Sequence, residues 1–153
     1  MINMRWFKVI LISHRGNVNN KNPDRENNPY YILDAIFSGY DVEIDVWFDN
    51  NTFILGHDSP QYEVSGEFLT QKGLWIHCKN ISALSELIKN IECNCFFHDT
   101  DDVVLTSKNY LWTYPGKALY SNSICVLPEL SEACDISNVA GICSDFIGRY
   151  KHD

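Results

Sequence analysis

The chain has 153 residues, 45% of them apolar and 21% charged, which suits one folded domain with a real core and excludes a disordered or low-complexity protein. Its net charge of −8 argues against nonspecific binding to nucleic acid or to an anionic membrane, since both depend on excess lysine and arginine. The opening apolar run, Val9 to Ile12, is too short for a signal-peptide core or a membrane span, so a cytoplasmic protein is expected, its six cysteines reduced rather than paired in a disulfide framework.

In chain order, Lys8 to Ser13 reads as a first strand that ends in Ser13-His14-Arg15-Gly16. A long polar loop, Asn17 to Asn28, follows, and within it Glu26 reads as a residue that orders the loop. Pro29 suits a helical first turn, Ile32, Leu33, Ile36 and Phe37 recur at helical spacing, and Ser38-Gly39 is a stop signal. Two short strands then flank the turn Asp49 to Thr52, one over Val42-Glu43-Ile44-Asp45-Val46 and one over Phe53-Ile54-Leu55. Side chains two apart on a strand share a face, so Glu43 and Asp45 project together, opposite Val42, Ile44 and Val46. Two carboxylates aimed one way from an apolar strand are costly without a nearby positive charge, and a hard divalent cation is the usual remedy. His57-Asp58 closes the second run and adds a group that exchanges protons near neutral pH.

Ser59 to Gly73 reads as a polar loop, Leu74 to Lys79 as a strand, and Asn80 to Asn90 as a short helix capped by Asn80, with Ile81, Leu84, Leu87 and Ile88 on one face. Short runs come quickly afterwards: Cys93 to Phe97, Val103 to Thr106, Tyr110 to Thr113, Ser123 to Leu127 and Gly141 to Ser144. No repeat, linker or low-complexity tract divides the chain, so residues 1–153 read as one domain.

Several of these runs end in a polar or ionisable group. Ile12 leads to His14-Arg15, Leu55 to His57-Asp58, Ile76 to His77 and Lys79, Phe97 to His98-Asp99, Leu127 to Glu129, and Cys143 to Asp145. Parallel strands whose carboxyl ends gather round one site make such a pattern, as in open α/β sheets and α/β barrels. Trp112 and Tyr114 read as packing or as a pocket floor, His98 as a substrate contact or part of an acidic turn, and Glu129 and Asp145 as rim residues or turn caps.

His14-Arg15-Gly16, Glu26-Asn27, Gly39, Glu43-Ile44-Asp45-Val46 and His57-Asp58 together resemble, in order and spacing, the motifs of glycerophosphodiester phosphodiesterases, within the phosphatidylinositol phospholipase C-like superfamily. The resemblance covers the first third of the chain well and the rest loosely. It implies a TIM-barrel-like α/β fold and metal-dependent attack on a phosphodiester. The histidines matching His14 and His57 would act as general acid and base, Arg15 would bind phosphate, and Glu43 and Asp45 would hold Mg²⁺ or Ca²⁺. A neighbouring substrate hydroxyl attacks phosphorus in the family, giving a cyclic phosphate that hydrolases open with water and lyase-type members release.

Two departures stand out. Where the family places a glutamate two residues before a lysine as a further metal ligand, this chain has His77 and Lys79; imidazole suits softer metals, while Lys79 would hold a phosphate oxygen. The chain is also short for a (β/α)₈ barrel, which takes about 250 residues. Strand starts at Val9, Val42, Phe53, Leu74, Cys95, Tyr110, Ser123 and Gly141 give eight, so a compact barrel with several outer helices shortened or missing is expected. The expected activity is phosphodiester hydrolysis on a glycerophosphodiester-like small substrate. A lyase releasing a cyclic phosphate and an inactive phosphate-binding module are the alternatives.

Overall fold

The side chain of Asn28 accepts a 2.9 Å hydrogen bond from the Tyr30 amide, satisfying an amide that the first helical turn would otherwise leave unpaired. This cap and Pro29 start helix α1 (Pro29–Phe37), which stops at Ser38 and at Gly39, whose φ of 90° suits a residue without Cβ. The chain is described here from a computed structural model covering residues 8–132 and 134–152. Strand β1 (Ile10–His14) precedes α1, and β2 (Asp41–Asp49), β3 (Thr52–Leu55), β4 (Tyr62–Val64) and β5 (Leu74–Cys78) follow it. Helix α2 (Ile81–Leu87) leads to β6 (Cys95–Phe97), β7 (Val103–Leu105), β8 (Leu111–Thr113), β9 (Ser123–Val126) and β10 (Gly141–Ser144). Asn80 caps α2 by accepting from the Ala83 amide, as its position before the apolar face predicts, and its side chain also bonds both backbone groups of Phe48. The start of α2 is thereby tied to the end of β2.

The strands form a mixed sheet curled into a half-barrel, and α1 and α2 are the two α-helices among the described residues. Strands β6, β5, β2, β1, β10, β9 and β8 run parallel in that spatial order. β2 is long enough to carry three partners. Along one edge it pairs with β1 through Val42 and Glu43 and then, further on, with antiparallel β3 through Val46 to Asp49, while β5 takes the other edge. Antiparallel β7 lies against β8, and the residue following its loop start, Ser107, donates its amide to the Cys95 carbonyl and its hydroxyl to that of Cys93. Ser107 thus stitches β6 to the segment that leads into β8.

Two expectations need correcting. The run from Phe53 does not supply a parallel barrel strand: β3 folds back on β2 as a hairpin, with Asn50 and Asn51 both at positive φ in its turn, because that turn is far too short for a crossover. The segment Ser59 to Gly73 is not wholly loop. It holds β4, which extends the hairpin, and a 3₁₀ turn at Phe68–Thr70 that buries Leu69.

Side chains alternate across the sheet as the strand period requires. Val42, Ile44, Val46, Leu74, Ile76 and Cys78 point outward and are covered by Ile32 and Ala35 of α1 and Ala83 and Leu87 of α2. On the concave side Ile12, Trp75, Phe96, Trp112, Ile124, Val126 and Cys143, from six strands, fill the interior. Their burial is worth about 1.5–3 kcal/mol for each large side chain. Above this apolar layer, toward the carboxyl ends of the strands, the inward positions become polar. No helix among the described residues is long and apolar enough to cross a membrane.

Candidate functional site

Register places the polar layer. His14 of β1 is level with Glu43 of β2, and Asp45 of β2 is level with His77 of β5, so four ionisable side chains meet on the concave face one step above the apolar interior. All four are buried. His77 Nδ1 lies 3.1 Å from Asp45 Oδ1 and 3.9 Å from Glu43 Oε1, and His14 Nε2 lies 3.7 Å from Glu43 Oε2. The His77 ring stacks on Phe96 at 5.3 Å, which fixes its plane.

The turn after β1 completes one side. Arg15 sits at a φ of 57°, a conformation that sends its guanidinium back over β2, where Nε is 2.9 Å from Asp45 Oδ2 and a terminal nitrogen is 3.1 Å from Glu26 Oε2. Asn27, also at positive φ, brackets Asp45 with two bonds: its amide nitrogen donates to Oδ2 and its carbonyl oxygen accepts from the Asp45 backbone, both at 2.9 Å. Glu26 therefore orders the first loop, as expected, by holding Arg15 and Asn17. Asp45 is fixed by Arg15 and Asn27 on one oxygen while its other oxygen stays toward His77.

These surroundings divide the two acids. Burial opposes ionisation of Asp45, but the His77 contact and the Arg15 charge prevail and hold its pKa below the usual carboxylate range. Burial and then the Asp45 charge push Glu43 up to about 7. Glu43 Oε2, Asp45 Oδ1 and His77 Nε2 are buried and receive or donate no hydrogen bond among the described residues. Each of Glu43, Asp45 and His77 offers a ligand atom, and these atoms lie within 4.8 Å of one another. Orphaned buried oxygens beside an imidazole are costly as they stand and suit a divalent cation, which would repay their lost hydration. The expected metal residues thus converge on one point, His77 among them.

A cavity of about 560 Å³ opens over this cluster. His14, Arg15, Glu43, His77 and Lys79 line one part of it, and His57 and Asp58 enter from the β3 side. His57 is placed by Gly56, whose φ of 153° and tight approach to the Ser59 carbonyl exclude any Cβ, and whose own carbonyl accepts from the Trp47 indole. Trp47 lines the cavity beside His57, and Phe97, Trp112, Tyr114 and Leu127 add an aromatic and apolar wall from β6, β8 and β9. His98 belongs to this wall, stacked on Tyr114 at 4.0 Å, so the sequence-predicted residues His14, Arg15, Glu43, Asp45, His57, His77, Lys79 and His98 come to a single place.

Asp145 is the functional residue that the sequence reading left among rim residues and turn caps. Its Oδ1 accepts from His14 Nδ1 at 2.7 Å and from Asn17 at 2.8 Å, and its backbone amide donates to Glu129 at 3.0 Å. The only signal for it was its place just after the apolar run of β10. Asp145 is held below the usual carboxylate range, chiefly by the His14 bond overcoming burial, so it accepts and His14 Nδ1 carries the proton. Burial disfavours charge on His14, but Asp145 and the Glu43 charge outweigh it and raise its pKa. His57 goes the other way, lowered by burial and by the Arg15 charge. No family profile, curated protein or solved structure matches this chain.

Proposed function

We propose that this protein is a metal-dependent phosphodiesterase acting on a small glycerophosphodiester-like substrate. What carries the reading is the convergence of two histidines with opposed proton affinities, two cations and an orphaned acid pair on one cavity at the carboxyl ends of parallel strands. The motif resemblance supports the same class, and the curled sheet with its polar rim is compatible with a pared-down TIM-barrel phosphodiesterase fold.

Glu43, Asp45 and His77 would hold the divalent cation, which when bound would neutralise charge developing on phosphoryl oxygens. With an imidazole in the donor set, Mn²⁺ joins Mg²⁺ and Ca²⁺ as a candidate. Arg15 is spent partly on Asp45 and Glu26, so Lys79, 4.0 Å from Asp45, is the freer cation for a phosphate oxygen. His57, neutral at physiological pH, accepts the proton of the attacking hydroxyl at a ring nitrogen. His14, kept protonated by Asp145, delivers a proton from Nε2 to the leaving oxygen. Opposed proton affinities are what this division of labour needs. The aromatic wall excludes water and packs against the substrate's alcohol.

Hydrolysis of bis(p-nitrophenyl) phosphate with Mg²⁺, Ca²⁺ and Mn²⁺ in turn tests the reading. Turnover that a chelator abolishes supports it; tight phosphate binding with no turnover under any cation would instead favour a binding module.

A further inference from the structure

Cys125 lies on β9 with its side chain opposite those of Ile124 and Val126, and it is buried. Cys134, half-buried, lies beyond the 3₁₀ turn Pro128–Leu130. Their Sγ atoms are 2.7 Å apart, in direct contact, so no backbone movement is needed to bring the two thiols together. The chain between them is not idle. It turns at Leu127, a non-glycine residue at a φ of 46°, and then presents Glu129, which accepts from Ser144 Oγ and from the Asp145 amide, each at 3.0 Å. Asp145 in turn holds His14.

We propose that Cys125 and Cys134 form a redox-active dithiol that closes to a disulfide on meeting a low-molecular-weight disulfide, sealing the segment that carries Glu129 into a covalent ring. The half-exposed Cys134 thiolate attacks the reagent first, forming a mixed disulfide and releasing one reagent thiol. Cys125, as thiolate, then attacks the Cys134 sulfur and expels the second. The protein loses two protons and two electrons, and the reagent disulfide gains both as two thiols. Burial raises the Cys125 pKa, which makes it the resolving rather than the attacking thiol. The site is independent of the phosphodiesterase reading, since it rests on the two sulfurs alone.

The test treats the full chain with oxidised glutathione at neutral pH, blocks remaining thiols, and digests without reduction using a protease that cuts after glutamate, which separates the two cysteines at Glu129 and Glu132. Free thiols should fall from six to four, with the Cys125 and Cys134 peptides recovered joined. Cys134→Ser should leave Cys125 unmodified and give no joined peptide. A glutathione adduct that persists on Cys134, a bridge to any other cysteine, or both thiols recovered unreacted would each overturn the proposal.

Discussion

His14 and Asp145, separated by 131 positions in the chain, share a 2.7 Å hydrogen bond in the buried layer above the apolar interior. Adjacent strands β1 and β10 bring them together, and Glu129 and Asn17 hold Asp145 from two further directions. Asp145→Asn keeps the shape but removes the charge that favours protonated His14. Turnover should fall by about 10- to 100-fold, and the alkaline limb of the pH–rate profile should move to lower pH. An unchanged alkaline limb would remove Asp145 from any role in setting the His14 proton.

The wild-type profile of kcat/KM should be bell-shaped. With the cation saturating, so that Glu43 stays ionised, the acid limb belongs to His57, which must be neutral to accept a proton; its pKa is lowered, so activity is then lost as pH falls beneath the ordinary histidine range. His14 must be protonated to donate, and its pKa is raised, so activity is lost as pH rises above that range. The plateau between the limbs is therefore broad. His57→Gln should abolish the acid limb together with most of the turnover, and a retained acid limb would assign it to another group.

Cation binding should be proton-linked through Glu43. A carboxyl pushed up to about 7 is protonated below that pH and must ionise to act as a ligand. Calorimetric titration with Mn²⁺ should show affinity rising about tenfold per pH unit below 7 and levelling above it, with proton release visible as a buffer-dependent enthalpy. Glu43→Gln should bind at least tenfold more weakly and release no proton. Equal affinity for the variant and the wild type would take Glu43 out of the cation site.

Gly56 positions His57 because no Cβ fits beside the Ser59 carbonyl at that φ. Gly56→Ala should cost about 1–3 kcal/mol of stability and lower turnover by displacing His57. Gly66, where a Cβ would make only ordinary contact with Phe53, is the control, and Gly66→Ala should leave both the melting temperature and activity near wild type.

Local chemistry made part of this molecule readable in advance. Pro29 and the cap Asn80 announce their helices because both act over a single turn, and the alternation of Glu43 and Asp45 with Val42, Ile44 and Val46 sorts two faces by strand period alone. The partners of each strand are another matter. Phe53-Ile54-Leu55 has the same apolar look whether it runs parallel or folds back, and only the brevity of the turn before it hinted at the hairpin. Tyr62-Glu63-Val64 is too short to stand out among polar neighbours. Ser107 and Asn27 act through hydrogen bonds to backbone or side chains distant in sequence, with no periodic trace. Asp145 needed the β1–β10 pairing, a contact between nearly opposite ends of the chain, before its role could be seen.

Phosphorus NMR of a glycerophosphodiester incubated with the protein and Mg²⁺, Ca²⁺ or Mn²⁺ distinguishes a phosphodiesterase from a protein that only binds the cation. The diester resonance should give way to a phosphomonoester, or to a cyclic phosphate if water does not open the intermediate, and a chelator should stop the change. A diester that persists with every cation, while calorimetry shows the same cations bound by folded protein, would contradict the phosphodiesterase reading.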